Sequence, residues 1–210
     1  LVAVPTSGIY PLPAALDVAN ACLVEPLSVA IHGIERAGFI PDRVAVVGLG
    51  PIGLLAVAAL RARDCAHVTG VDPVAVRRSL AESLGAEQVF ERIEDVQPDV
   101  PLVLECTGRP EVLQQATNLL APGGVAVLLG VMMSEASVAP LVWVMREQSV
   151  IGSVSSSETD FRAAIGLLAA KPEIATIITK RVTLEELPSA FDELISRPGD
   201  GKIVVDPSAR

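Results

Sequence analysis

Aromatic residues are scarce in this chain, since one Trp, one Tyr and four Phe make up only 3% of its 210 residues. The core must therefore be built from Val, Leu, Ile and Ala, and 50% of the residues are hydrophobic. This length and composition suffice for one full hydrophobic core with a smaller appendage.

Cysteine is nearly as rare, and the three residues Cys22, Cys65 and Cys106 lie far apart in the sequence. Their spacing contains no CxxC pair, so it indicates neither a disulfide framework nor a four-cysteine metal site. Cys106 lies in an apolar stretch, where a buried thiol is the usual finding. The pattern fits a reducing compartment, and we expect a cytoplasmic protein.

Positive charge is also in short supply, because 16 Lys and Arg face 25 Asp and Glu for a net charge of −9. An acidic chain repels phosphate backbones, so we expect no nucleic-acid partner. The sequence shows no secretory signal and does not start with Met, and we expect it to begin inside a longer protein.

The most informative stretch is a glycine turn between a strand pattern and a helix pattern. Residues 44–47 are apolar, and Gly48, Gly50 and Gly53 follow in the spacing G-x-G-x-x-G. Gly48 would allow a sharp turn, Gly50 the approach of a phosphate, and Gly53 close packing of the helix on the sheet. Pro51 suits a first helical position, and the free N–H groups of that turn would face a pyrophosphate.

Residues 44–60 are also uncharged, which is nearly the length of a membrane span. Three glycines and a proline in that stretch, and the strand and helix patterns after it, argue against a span, and we expect no membrane partner. A second strand pattern, 67–71, ends in Asp72, 19 positions after Gly53. An acid at that place can accept hydrogen bonds from a ribose 2′-hydroxyl, so the two features together predict a dinucleotide site.

Strand and helix patterns alternate along most of the chain, with strands expected at 44–47, 67–71, 87–90, 101–106, 125–131 and 149–154. The link 91–100 is too short for a full helix. The alternation predicts an α/β fold, a Rossmann-type doubly wound sheet of six parallel strands in the order 3-2-1-4-5-6. After it we expect a strand over 174–182, a helix over 184–195, a turn at 198–201 and a strand over 202–206.

Six motifs in chain order resemble the zinc-dependent medium-chain dehydrogenases, and the form EPLSV points to the polyol (sorbitol-type) branch. The other motifs are GLGPIG, GVDPVAVRR, VLECTG, GGVAVLLGV and the C-terminal run from TLEEL to GKIVV. The resemblance covers essentially the whole chain. It implies the end of a GroES-like catalytic domain in 1–27, a dinucleotide-binding domain in 28–172 and a return to the catalytic domain in 173–210.

The resemblance also implies an NAD site. Its residues would be Gly48, Gly50, Pro51, Ile52, Gly53, Asp72, Arg77, Cys106, Thr107, Gly108, Val131, Gly152, Ser153, Val154 and Lys202. Asp72 followed by Pro73 favours NAD over NADP, because the carboxylate would repel a 2′-phosphate, whereas Arg77 argues the other way.

A metal is implied at one position only. Glu25 matches an acid at or beside the catalytic zinc, although a plain carboxylate at a helix start explains it equally simply. The other zinc ligands of the family, a Cys and a His–Glu pair, are absent from this chain, and His32 and His67 have no partner at ligand spacing. Asp64 and Cys65 also stand where the family commonly has glycine.

The expected function is that of an oxidoreductase. The parent protein would transfer hydride between a secondary alcohol, polyol or sugar-like, and NAD with the help of zinc, and this chain alone would be inactive. The alternative is a nucleotide-binding module without catalysis. The apolar stretch 149–154 should form a sheet edge, and relatives of this fold commonly pair that edge, so we expect a homodimer or homotetramer.

Overall fold

The structure is a computed structural model that describes residues 3–196 and 201–208. Its main body is a six-stranded sheet with the order β3-β2-β1-β4-β5-β6 and every pairing parallel. The strands are β1 (Arg43–Val47), β2 (His67–Val71), β3 (Gln88–Phe90), β4 (Val100–Glu105), β5 (Leu120–Leu128) and β6 (Ser149–Gly152). This is the predicted strand order, and the doubly wound fold is confirmed.

Seven α-helices occur within the described residues. They are α1 (Val24–Arg36), α2 (Pro51–Arg61), α3 (Ala75–Ser83), α4 (Pro110–Asn118), α5 (Pro140–Met145), α6 (Glu158–Ala170) and α7 (Leu187–Ser196). None of these helices combines the length and the apolar character that a membrane span requires.

Successive residues of β1 point into different cores, as a pleated strand requires. Val44 and Val46 belong to a cluster shared with α1, α2 and α6, whereas Ala45 and Val47 belong to a second cluster shared with α4. Both faces of the sheet are therefore covered, which explains why its central strands are apolar without alternation.

A second, two-stranded parallel sheet joins β7 (Ile178–Val182) and β8 (Lys202–Val205). The expected strand over 174–182 was wrong in its first part, since Pro172–Ile177 forms a 3-10 helix. Ile174 and Ile177 lie three positions apart and are both buried, as a 3-10 repeat allows and an alternating strand does not.

Other boundaries also differ from the expectation. α1 begins at Val24 because the 3-10 helix Val18–Leu23 leads directly into it, so Glu25 lies inside the first turn. β5 begins at Leu120 and ends at Leu128, not over 125–131. β6 ends at Gly152, because Ser155 with a φ of 61° turns the chain away before α6.

Of the predicted turn at 198–201, residues 198–200 lie outside the described part.

Candidate functional site: a cleft at the switch point of the sheet

A cleft of about 580 Å³ opens at the carboxyl ends of β1, β2 and β4. It lies where the chain leaves β1 for β2 on one side and continues with β4 on the other. Ligands of open α/β sheets bind at this type of switch point. Sequence-predicted residues in its wall are Gly48, Gly50, Asp72, Arg77, Cys106 and Thr107.

The three glycines of the turn have different physical roles. Gly48 has a φ of +92°, which only glycine adopts without strain, and a Cβ there would lie 2.7 Å from the Thr107 Cγ2 atom. A Cβ at Gly53 would lie 1.8 Å from the Gly48 carbonyl oxygen, so α2 packs against the turn itself. A Cβ at Gly50 would meet no protein atom within 4 Å. The space beside Gly50 is therefore open toward the cleft.

Asp72 follows β2 and is only 3% exposed. Its Oδ2 atom accepts a hydrogen bond from the Leu49 N–H at 2.9 Å, and its Oδ1 atom accepts one from the Val74 N–H at 2.9 Å. The Arg77 Nη1 atom lies 3.5 Å from Oδ2. The acid at the tip of the second strand is thus also a support for the glycine turn.

Two arginines lie beside Asp72, and Arg77 is the one that lines the cleft. Arg77 has a buried Nε atom that no acceptor among the described residues satisfies. Arg78, which sequence reasoning missed, donates from Nη1 to the Asp72 carbonyl oxygen at 2.7 Å and lies 3.6 Å from the Glu91 carboxylate. Only its position beside Arg77 in the sequence could have indicated it.

A turn after β4 forms the opposite wall. Gly108 has a φ of +65°, and a Cβ there would lie 2.7 Å from the Val131 carbonyl oxygen. The structure therefore brings Val131 against Gly108, which lies 23 positions earlier in the sequence. The residue before this turn, Glu105 at the end of β4, is a fully buried carboxylate that sequence reasoning missed.

Cys106 begins this turn as a partly buried residue that lines the cleft. Burial, and then the neighbouring Glu105 charge, raise the pKa of its thiol well above the usual value. Because the thiolate is the reactive form of cysteine, a raised pKa disfavours a nucleophilic role for this thiol.

The segment after β6 contains Gly152, Ser153 and Val154. The Ser153 N–H donates to the Leu128 carbonyl oxygen at 3.0 Å, which continues the pairing with β5 past the end of the strand. Val154 is 83% exposed. Ser156 lies farther along, and its hydroxyl can donate to the Ser28 hydroxyl oxygen, 2.8 Å away.

The Ser28 contact places the first turn of α1 beside the segment after β6. The same hydroxyl donates to the Glu25 carbonyl oxygen at 2.7 Å, and the Glu25 residue is exposed. The start of α1, with Glu25, therefore lies near the segment that contains residues 152–154. The sequence assigned Glu25 to zinc and residues 152–154 to the cofactor.

Two expected features, Lys202 as a cofactor contact and a zinc site, are not part of this cleft. Lys202 begins β8 in the separate two-stranded sheet, and the walls of the cleft come from other residues. Among residues 3–196 and 201–208, no group of three or more His, Cys, Asp or Glu side chains could hold a metal ion. A dinucleotide fits the residues present, since an open glycine and a buried acid face one cleft, whereas a closed zinc site does not.

Comparison with known proteins bears on these observations. The family model described as glucose dehydrogenase C-terminus matches residues 18–206. The chain belongs to this family of zinc-type medium-chain dehydrogenases. The resemblance drawn from the six motifs is thereby confirmed.

Two curated relatives illustrate how the family matches this chain. Glucose 1-dehydrogenase 1 of Vulcanisaeta moutnovskia (strain 768-28) is 35% identical over 199 residues, which cover 85% of this chain and 56% of that protein. Sorbitol dehydrogenase of Ovis aries is 33% identical over 216 residues, which cover 95% of this chain and 60% of that protein. The chain spans somewhat more than half the length of these relatives.

A solved structure shows the same fold. A protein described as a zinc-binding dehydrogenase, from Sinorhizobium meliloti 1021, was solved bound to NADP. It is 31% identical to this chain with a TM-score of 0.85, and the match covers 97% of this chain and 64% of that one.

Proposed function

We propose that this chain is the cofactor-binding part of an NAD-dependent alcohol dehydrogenase that acts on a polyol or sugar-like secondary alcohol. One observation carries the proposal. Gly50 lines the cleft with open space where its Cβ would be, beside a glycine turn that Asp72 holds in place. The second glycine of a G-x-G-x-x-G turn allows the backbone to approach a pyrophosphate, and here the protein's own packing does not require that glycine.

The residues of this chain would bind and orient the cofactor. The N-terminus of α2, at Pro51 and Ile52, would face the pyrophosphate with free N–H groups. Asp72 and Arg77 would contact the adenosine ribose. The other ribose and the nicotinamide would lie along Cys106, Thr107 and Gly108, along Val131 and along residues 152–154. When bound, the nicotinamide supplies the hydride chemistry.

Lys202 is proposed to contact the pyrophosphate from the β7–β8 sheet, which does not supply the cleft walls. For it to reach the pyrophosphate, its side chain would have to extend from the start of β8 across to the glycine turn. We retain it as a proposal because the last motif of the chain, GKIVV, contains it.

The preference for NAD over NADP is supported by the buried position of Asp72. A 2′-phosphate would meet this carboxylate, which the N–H groups of Leu49 and Val74 hold in place. Arg77 and Arg78 moderate the charge of this region, and the Sinorhizobium meliloti protein was solved with NADP. The Asp72 carboxylate therefore favours NAD and the two arginines favour NADP, and the ratio of the two dissociation constants measures which effect is larger.

Glu25 is the one residue that we propose as a zinc ligand. Its carboxylate is exposed at the first turn of α1, near the segment proposed for the nicotinamide. A catalytic zinc needs three protein ligands, and the described residues offer no such group. The proposed role of this chain is therefore to bind cofactor, with Glu25 contributing at most one carboxylate.

A nucleotide-binding module without catalysis is the second candidate. The intact mass of the natural protein, combined with NADH formation from sorbitol, xylitol, glucose and 2,3-butanediol, separates the two. A dehydrogenase forms NADH with at least one of these alcohols. NAD binding with no turnover of any alcohol by the natural protein would favour the module.

We further propose that two chains pair through β6, which lies at the edge of the six-stranded sheet. Leu141, Val144 and Met145 of α5 are 70–74% exposed beside it, and Val154 is 83% exposed. Exposed apolar groups next to an open edge favour association in a homodimer or homotetramer.

Two further proposals follow from the sequence. The free cysteines Cys22, Cys65 and Cys106 are consistent with a cytoplasmic location. The domain limits 1–27, 28–172 and 173–210 accord with a β7–β8 sheet that is separate from the six-stranded one.

A further inference from the structure

Glu105 is the last residue of β4 and is 0% exposed, although it has an ionisable side chain. Its Oε1 atom accepts hydrogen bonds from the Thr107 N–H at 2.7 Å and from the Thr107 hydroxyl. Its Oε2 atom accepts a longer one from the Gly108 N–H at 3.4 Å. Both carboxylate oxygens therefore bind the same turn.

No cation among the described residues pairs with this carboxylate, and its partners are N–H and O–H groups. A buried charge of this kind is costly unless hydrogen bonds satisfy it. A neutral apolar side chain would fill the same space without that cost, so the position points to a task that needs an acceptor.

The backbone around Glu105 packs closely against the end of β5 and against Gly130. The Glu105 carbonyl oxygen accepts hydrogen bonds from the N–H groups of Leu129 and Gly130 at 2.8 and 2.9 Å. A Cβ at Gly130 would lie 2.1 Å from the Gly108 nitrogen and 2.6 Å from the Glu105 Oε2 atom. The carboxylate is thus enclosed between the turn after β4 and the end of β5.

Thr107 connects this enclosed carboxylate to the cleft. Its hydroxyl oxygen accepts a hydrogen bond from the Arg109 N–H at 3.0 Å while its hydrogen goes to Glu105. Its methyl carbon lies against Gly48, where an added Cβ would be only 2.7 Å away. Rotation of this one side chain would change the wall of the cleft that faces the glycine turn.

We propose that Glu105 is a positioning residue for the wall of the cleft on the nicotinamide side. Its carboxylate fixes Thr107 and Gly108 against Gly48 and Val131, and this sets the affinity for the half of the dinucleotide that lies beyond the pyrophosphate. The inference rests on the proposed function, because it presupposes dinucleotide binding. The other half lies at Asp72, across the switch point, where the N–H groups of Leu49 and Val74, and not the turn after β4, hold the carboxylate.

Replacement of Glu105 by Gln keeps the size and shape of the side chain but removes its charge and one of its two acceptor oxygens. The amide keeps one oxygen, which can still accept from Thr107, but its NH₂ group then faces the Gly108 N–H, so two donors oppose each other. We expect the affinity for NAD to fall at least about tenfold, as for loss of a charged acceptor. The affinity for AMP, which carries only the adenosine half, should stay within about twofold.

The experiment is calorimetric titration of the full 210-residue chain with NAD and with AMP, with the melting temperature as a check on folding. Glu158→Gln is the matched control, since Glu158 lies exposed on α6 and pairs with Arg162. Thr107→Val removes the hydroxyl that donates to Glu105 and should produce the same selective loss. The double variant should lose less than the sum of the single losses, because the two groups act as one unit.

A loss of NAD affinity with AMP affinity retained, in Glu105→Gln or in Thr107→Val if the first variant fails to fold, supports the inference. Parallel losses for NAD and AMP, or unchanged NAD affinity in a folded variant, overturn it and leave the proposed function intact. Wild-type chain that binds neither nucleotide overturns the proposed function, and with it the inference.

Discussion

The carboxylate of Asp72 accepts a hydrogen bond from the backbone N–H of Leu49 at 2.9 Å, in a site where Asp72 is only 3% exposed. Leu49 lies between the first two glycines of the turn after β1. The residue proposed to recognise the adenosine ribose therefore also holds the loop proposed to bind the pyrophosphate. Changes at Asp72 should affect both parts of the cofactor site.

Replacement of Asp72 by Ser should relax the preference for NAD over NADP. Loss of the negative charge removes repulsion of the 2′-phosphate, and Arg77 and Arg78 remain to attract it. Both affinities should fall because Leu49 loses its partner, so the ratio of the two dissociation constants is the relevant readout. Wild-type chain that binds NADP as tightly as NAD would contradict the prediction.

The 210-residue chain alone should bind zinc weakly and show no alcohol dehydrogenase activity. Glu25 offers one carboxylate, and no ligand group of three or more side chains occurs in residues 3–196 and 201–208. Metal analysis after dialysis against a chelator measures this directly. Stoichiometric zinc that survives the chelator would show that the account of the metal is wrong.

Asp160 should make the stability of the chain depend on pH in the acid range. Burial acts to raise the pKa of its carboxyl, but hydrogen bonds from Ser157 and His32 outweigh it, so the folded pKa lies below the usual value for Asp. His32 Nδ1 lies 2.8 Å from Asp160 Oδ2, which joins α1 to α6. Since the folded pKa is depressed, the stabilisation is complete above the unfolded pKa and is lost as the pH falls through the folded pKa.

Urea unfolding of wild type and Asp160→Asn between pH 3 and pH 7 tests this. The wild type should be more stable by about 1.5–3 kcal/mol at neutral pH, the range for hydrogen bonds to a charged group. The difference should shrink as the pH falls below about 4. Arg36 and the Glu35–Arg63 pair line the same groove, so Glu35→Gln is a suitable control. A difference that is the same at every pH would exclude the charged form of Asp160 as its source.

Two aspartates at the edge of the sheet should separate the proposed dimer. Leu141→Asp and Val154→Asp place charges at side chains that are 70% and 83% exposed, so the fold of one chain should survive. Ile151 is less suitable because it packs against the core. Sedimentation should show dimer for wild type and for the control Val18→Asp, and monomer for the edge variant. A monomeric wild type at micromolar concentration would refute the proposed pairing.

The parts of the fold that depend on local spacing could be predicted from the sequence. The glycine turn, the acid after β2 and the strand order follow from short-range patterns, because the central strands are apolar and most of the connections between elements carry glycine or proline. The end of β6 and the 3-10 helix Pro172–Ile177 could not be predicted in this way. Their apolar residues continue the strand pattern, and only tertiary packing decides where the strand stops.

In the candidate site, too, the residues with a regular spacing could be predicted and those set by tertiary packing could not. Gly48 and Asp72 stand out by spacing, whereas Glu105 stands at the end of an apolar run and resembles any strand residue. Its role depends on Gly130 and Thr107 closing around it, and Gly130 lies 25 positions away in the sequence. Arg78 is similar, since the Asp72 carbonyl oxygen that it binds becomes its partner only after α3 has folded onto the sheet.

The central claim is that the open space beside Gly50 belongs to a bound dinucleotide, and Gly50→Ala tests it most directly. Gly50 has a φ of −68° and a ψ of −175°, which alanine adopts freely, and a Cβ there meets no protein atom within 4 Å. The melting temperature of the variant should therefore stay close to that of the wild type. Calorimetric titration with NAD should show saturable binding to wild type and a loss of at least about tenfold in the variant, since the added methyl group enters the cofactor's space. Equal NAD affinity in the two proteins, or no binding to wild type, would contradict the account.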